Sequence, residues 1–277
     1  MPVDPHLRSL DIAIPAQPEA LVQLSLLLAE ENVQLAELST LIESDMALAS
    51  AVLKAVNSSM YGLKGRVQTV QQAITYLGMR EVAAVTYEMG LRAVFRQAKE
   101  LDPVWQRAGL RGLVMGRLGH LLDVDPWVAH SAGLFEECGK AVLYRHAPDH
   151  YRSMLRAATS DTELITLERA GFGVSHDALG AAMCESWDLD AAAVASVRHH
   201  VQVQTTRELP SPMQRPMICA LSALAHALMS APQTLDEVAQ ALAPRADLDA
   251  TLVLRAAHKV QDQLAEAAAT RPLLHAA

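Results

Sequence analysis

Two adjacent glutamates inside an apolar run are the residues of this chain best placed to do chemistry. The stretch GLFEECGK, Gly133 to Lys140, sets Glu136 and Glu137 beside Leu134 and Phe135, with the apolar Ala141-Val142-Leu143 following. Each carboxylate can offer oxygen to a metal ion. On a helix, neighbouring residues point about 100° apart, so the pair needs further ligands from elsewhere to close a site. Lys140 is a cation able to meet a phosphate, but Gly139-Lys140 stands without the rest of a glycine-rich phosphate loop. Ser131 has no nucleophile elbow around it, and Cys138, Cys184 and Cys219 have no evident activating base. His130 lies two turns before Glu137, about 10 Å along a helix axis and too far for shared coordination. His120 reads as helix surface.

The elements that must position these residues are helical. Hydrophobic residues make up 51% of the 277 residues but aromatics only 4%, so the core is built from Ala, Leu, Val and Met, a mix suited to close-packed helices. Charged residues, at 19%, are too few for a disordered chain. A net charge of −8 argues against general nucleic-acid binding, which needs a basic face. The three cysteines are scattered with no CxxC or Cys/His spacing, which excludes zinc-finger and thioredoxin readings and fits a reducing compartment. The N-terminus lacks the basic start and apolar run of a signal peptide, and no apolar stretch reaches the length of a membrane span. A cytoplasmic protein is expected.

Apolar spacing is helical nearly throughout, as at Leu21, Leu24, Leu27 and Leu28. Thr69-x-x-Gln72, Ser160-x-x-Glu163 and Thr234-x-x-Glu237 predict capping boxes, and Asp102-Pro103 and Asp125-Pro126 predict an N-cap followed by proline in the first turn. Gly78 and Gly171 are expected helix stops. Only Val201 to Thr205 alternates like a strand, and it is short. The class is therefore all-α. Residues 1–14 read as an N-terminal tail and 15–206 as one domain with helical lobes over about 15–100 and 101–206. Residues 207–277 read as a C-terminal helical extension packed on the same body. Thr205 to Pro216, rich in Pro, Ser and Thr, is the best linker, and no internal repeat is visible.

Several of these segments carry a family resemblance. ESDMALASAVLKAVNSSMYG (Glu43 to Gly62) and VQTVQQAITYLGMREV (Val67 to Val82) resemble the Asp-Pro-x-Leu, Leu-x-x-x-Asn-Ser and Ala-Ile-x-x-Leu-Gly elements of the HDOD family, the HD-related output domains of bacterial signalling proteins. Asn57-Ser58, Tyr61-Gly62, Ala73-Ile74 and Leu77-Gly78 fall in the family's order. GLFEECGKAVL, SHDALGAAMCESWDL (Ser175 to Leu189) and VRHH (Val197 to His200) continue it, so that the likeness covers roughly residues 13–206. The same signals have a local reading: Asn57-Ser58 ends an apolar helix where Asn tolerates a left-handed turn, and Leu77-Gly78 is an apolar residue followed by a stop.

The resemblance implies a compact multi-helix, HD-superfamily-like fold of two lobes and a site from which metal ligands have been lost. GLFEECGK is similar to the GLLHDIGK segment of the superfamily, in which the His-Asp pair binds a catalytic metal; Glu136 and Glu137 hold those two positions. The first histidine ligand would follow the Trp of the preceding helix, where VWQRAGLRG places Arg107, a side chain with no lone pair for a metal. His176, His199 and His200 correspond to the later histidines, and Lys140 to the family lysine. The degenerate pocket thus comprises Arg107, Glu136, Glu137, Lys140, His176, His199 and His200, with no catalytic, cofactor or metal-binding residue. Two arrangements are open: the Arg107 guanidinium bridges Glu136 or Glu137 where a cation once sat, or all three side chains face solvent.

The function implied is a non-catalytic regulatory one, with signalling proteins as partners in trans and a small molecule or nucleotide as a possible ligand of the pocket. The alternatives are a metal-dependent phosphohydrolase acting on nucleotides or cyclic dinucleotides, and a nucleotide sensor without hydrolysis. No cofactor, membrane or general nucleic-acid partner is expected.

Overall fold

The computed structural model describes residues 12–30, 32–58, 61, 63, 65–211 and 215–269. All regular structure among them is helical, and the described chain forms two compact units. The smaller comprises Gln17–Val94 with the described residues from Lys259 onward, and the larger comprises the described residues up to Ala16 with Phe95–His258. No described helix is long and apolar enough to cross a membrane. Most of residues 1–14, all of Gly62 and the Pro212–Gln214 part of the expected linker lie outside the described residues.

The smaller unit is built from α1 (Glu19–Leu28), α2 (Leu35–Glu43), α3 (Met46–Val56), α4 (Val70–Leu77) and α5 (Met79–Ala93). Side chains set the starts of α2, α3 and α4. Thr69 Oγ1 accepts from Gln72 N at 3.1 Å to start α4, and Gly78, at φ 86°, separates α4 from α5. Asn57 departs from its expected left-handed turn: its φ is −83° and its amide ties two segments together. Asn57 Nδ2 donates to the carbonyls of Leu53 at 2.9 Å and Val67 at 2.7 Å, while Val67 N donates back to Oδ1 at 3.2 Å. The asparagine pins the loop between α3 and α4 to the end of α3.

The larger unit contains α6 (Asp102–Leu121), α7 (Pro126–Phe135), α8 (Cys138–His146), α9 (Pro148–Ala157), α10 (Asp161–Phe172), α11 (His176–Ser186), α12 (Ala191–Thr206), α13 (Met217–Ser230) and α14 (Leu235–Leu242). The final helix, α15 (Ala250–Ala269), begins in this unit. Asp125 caps α7 by accepting from Trp127 N and Val128 N, and Ser160 caps α10 by accepting from Glu163 N. Four local expectations need correction. Asp102 is already helical, preceded by a 3-10 turn over Lys99–Leu101. Helix α10 runs past Gly171 and stops at Gly173, the residue with φ 74°. Thr234 belongs to a 3-10 turn and donates to the Ala231 carbonyl instead of capping α14. Val201 to Thr205 is the last part of α12, whose buried Val201 and Val203 pack inward while Gln202 faces out.

Tight approaches around α8 fix the position of the glutamate pair. A Cβ at Gly139 would overlap the His176 carbonyl, so only glycine lets the start of α8 lie against the start of α11. At Gly180 a Cβ would stand 2.9 Å from Val197 Cγ1 and 3.2 Å from the Phe135 carbonyl. Trp187, with its ring edge-on to Phe135 at 5.4 Å, donates its indole N–H to the Pro15 carbonyl at 2.8 Å. The Gly and Trp letters of the motif thus have structural causes.

Candidate functional site

Arg107 and Arg111 are one turn apart on the same face of α6. That face meets the turn between α7 and α8, where Glu136 and Glu137 are both 0% exposed, which excludes solvent-facing glutamates. Arg107 engages Glu137 with two bonds, Nε to Oε1 at 3.3 Å and Nη2 to Oε2 at 3.1 Å. Glu136 is met by Arg111, whose Nη1 lies 2.7 Å from Oε2 and 3.7 Å from Glu137 Oε1. Lys140, also buried, donates to Glu137 Oε2 at 3.0 Å and to Asp161 Oδ1, at the start of α10, at 2.7 Å. Gln204 of α12 donates to Glu136 Oε2 at 3.2 Å and to Ser222 Oγ of α13 at 3.1 Å. Three carboxylates are therefore matched by three cations, linking α6, α8 and α10 through the α7–α8 turn.

The electrostatics follow from this matching. Burial alone would push the Glu137 carboxyl up, but Lys140, Arg111 and Arg107 together hold it well below the carboxylate range. Burial likewise opposes ionisation of Asp161, and Lys140 overcomes it, so Asp161 too is held low. The two guanidiniums lose solvation on burial yet are held more firmly protonated by their glutamates.

A second buried group adjoins the first. Glu168 of α10 accepts three hydrogen bonds, from Tyr151 Oη at 2.6 Å, from His176 N at 2.8 Å and from His176 Nδ1 at 2.7 Å. The His176 and His200 rings are 5.5 Å apart, and His200 Nδ1 lies 2.7 Å from the Val197 carbonyl, a contact that requires the proton on Nδ1. Burial pushes the His200 imidazole down, which keeps it neutral at physiological pH. Among the described residues, His176 Nε2, His200 Nε2, Glu136 Oε1 and Arg111 Nε are buried without a hydrogen-bond partner.

Of the seven residues singled out in the sequence, Arg107, Glu136, Glu137 and Lys140 come together in the charge network, and His176 and His200 form the adjoining pair. His199 is only partly buried, on another face of α12, and makes none of these hydrogen bonds among the described residues. His130 stacks on Trp127 at 6.0 Å within α7, and His120 is exposed. Arg111, Asp161, Glu168 and Tyr151 were not among the residues singled out. Arg111 was detectable as a charge four residues after Arg107 inside an apolar helix, and Glu168 as a carboxylate on the Leu164–Ile165 face of α10. Asp161 read only as a helix-start acid, and Tyr151 carried no signal.

The site does not fit the metal of the HD superfamily. Two guanidiniums and an ammonium occupy the carboxylates that would serve it, and none of these cations can ligate. Among the described residues, no three His, Cys, Asp or Glu side chains are placed to hold a metal ion. Beside the network lies a cavity of about 420 Å³ bordered by Arg107, Lys140, the start of α10, α12 and His226 of α13.

The described structure is thus an all-helical body in which a buried glutamate pair faces two arginines and a lysine. Comparison with known proteins gives the family: the HDOD domain model matches residues 14–203, and the chain belongs to the HDOD family. A protein of uncharacterised function from Treponema pallidum (strain Nichols) is 25% identical over 191 residues, 68% of this chain but 37% of that protein, so the chain spans little more than a third of this relative's length. An HDOD domain protein of unknown function from Geobacter sulfurreducens shares the fold at TM-score 0.70 and 16% identity, covering 98% of this chain and 96% of that one. A protein from Shewanella amazonensis SB2B described as a candidate phosphohydrolase does so at TM-score 0.68 and 17% identity, covering 96% and 98%. One from Marinobacter aquaeolei VT8, described as a candidate signal transduction protein, gives TM-score 0.71 and 21% identity, covering 97% and 66%.

Proposed function

We propose that this protein is a non-catalytic regulatory module of bacterial signal transduction, working in the cytoplasm by binding other signalling proteins. The observation that supports the reading is the pairing of side-chain cations with the carboxylates: Arg107, Arg111 and Lys140 meet Glu136, Glu137 and Asp161. A hydrolytic centre of the HD kind uses its carboxylates and imidazoles to hold a metal that lowers the pKa of water. Here the carboxylates are committed to guanidinium and ammonium groups at 2.7–3.3 Å. The histidines face a carboxylate and a carbonyl through Nδ1. What is left is a rigid, charge-neutral joint among helices, suited to holding a binding surface in shape.

The test is turnover. Purified full chain is incubated with Mn²⁺, Mg²⁺ or Fe²⁺ and with bis-p-nitrophenyl phosphate, a mononucleotide and a cyclic dinucleotide. No hydrolysis above the metal-only blank is expected. Metal-dependent hydrolysis that disappears in Glu136→Gln would overturn the reading in favour of a phosphohydrolase.

A further inference from the structure

We infer that the cavity beside the charge network binds the monophosphate group of a small organic ester, with the Asp161 carboxylate as its resident competitor. At about 420 Å³ the cavity falls within the range of small-molecule sites, roughly 300–1,000 Å³. Its lining is two-faced. Leu155 and Val201 offer an apolar wall, while Arg107, Lys140 and Ser160 offer donors.

These donors are not used up. Arg107 spends Nε and Nη2 on Glu137, and its Nη1 bonds to no described residue. Its side chain is 44% exposed although the partner Glu137 is 1% exposed, so one edge of the guanidinium faces inward and the other is open. Lys140 is 1% exposed, and its ammonium has three N–H groups of which Glu137 and Asp161 take two. At the start of α10 the Ser160 hydroxyl accepts from Glu163 N, leaving its own O–H to give. The amides of Asp161 and Thr162, in the first turn of the same helix, bond to no described residue, as expected where a helix has no preceding carbonyl.

The donors come from three elements, α6, α8 and the start of α10, and approach from different directions. A tetrahedral phosphate, with three terminal oxygens, can meet all three; a planar carboxylate has two oxygens. Arginine and helix N-termini both favour phosphate. The apolar wall then takes the body of the ester. Asp161, 30% exposed at the rim, already holds Lys140 at 2.7 Å, so an incoming phosphate must share or displace it against like-charge repulsion. The inference rests on the non-catalytic reading only in that the ester is held and not cleaved.

Calorimetric titration of the full chain with phenyl phosphate, inorganic phosphate and phenol tests this, with free phosphate assayed at the end of each run. One site is expected for phenyl phosphate, weaker binding for inorganic phosphate, and none for phenol. Arg107→Gln, which removes a charge-assisted bond, is expected to weaken phenyl phosphate by about tenfold or more. Asp161→Asn is expected to tighten it. No binding of either phosphate to the wild-type chain, or binding indifferent to both substitutions, overturns the inference. Weaker binding in Asp161→Asn removes the competitor role. If Arg107→Gln does not fold, the direction of the Asp161→Asn shift decides alone. Release of phosphate from bound phenyl phosphate would leave the site standing and overturn the non-catalytic reading instead.

Discussion

Glu137 in the larger unit is buried and Glu88 in the smaller is mostly buried, and their acidities are driven in opposite directions. The Glu137 side chain is buried and meets Arg107, Arg111 and Lys140, with contacts from 3.0 to 3.7 Å. The Glu88 side chain, on α5, is 12% exposed and among the described residues pairs with one cation, Arg92, at 3.6 Å, whose side chain is 38% exposed. Burial pushes both carboxyls up. At Glu88 burial wins over Arg92 and the carboxyl rises to about 7, whereas at Glu137 three cations win and it falls well below the usual range. Burial therefore does not decide the sign of the shift; the number and closeness of the partners do. A buried carboxylate stays ionised only where side-chain cations meet it in sufficient number.

The sharpest way to break this contrast is Glu137→Ala. It leaves three cations converging on an apolar side chain, and denaturant titration is expected to show a loss of about 3–5 kcal/mol. A loss under about 1 kcal/mol would mean the network contributes little. Next, Glu168→Ala strands the Tyr151 hydroxyl and the His176 amide and ring, with an expected loss of about 2–3 kcal/mol.

The pH response separates the two glutamates. The folded pKa of Glu137 lies below its ordinary 4.5, so its contribution is present above pH 4.5 and lost as pH falls toward the folded value. Amide protection in the larger unit, measured relative to the intrinsic exchange rate at each pH, should fall on acidification below that point. Glu88 has the opposite sign: its folded pKa is raised, so its contribution is full below 4.5 and lost as pH rises through about 7. Glu88→Gln is accordingly expected to raise stability at pH 8 by on the order of 2 kcal/mol and to change little at pH 4.5. Equal effects at both pH values would remove the contrast. The smallest effect is the surface cap: Thr69→Ala should cost about 1 kcal/mol, read as a shifted unfolding midpoint.

Much of this was legible in the chain because it depends on local spacing. The all-α class followed from apolar periodicity, and the starts of α4, α7 and α10 from Thr69, Asp125 and Ser160. The ends of helices were less legible, since a stop depends on which glycine reaches positive φ, and Gly173 does so where Gly171 does not. The glutamate pair and its first arginine were visible as motif letters. Arg111 and Glu168 show in the chain only as charges on apolar helix faces and Asp161 only as a helix-start acid, because their roles arise when α6, α8, α10 and α11 pack together, and one sequence prints no tertiary distance. His199 and His200 looked equivalent as letters, but adjacent helical positions point apart, and only His200 turns into the core.

The most direct test of the claim that side-chain cations have replaced the metal is the urea midpoint of the full chain. It would be measured after exhaustive chelation, and again with Zn²⁺ or Mn²⁺ restored. The expected result is one midpoint in all three conditions, with no stoichiometric metal in the untreated protein. A midpoint that falls on chelation and recovers with one equivalent of metal would contradict it.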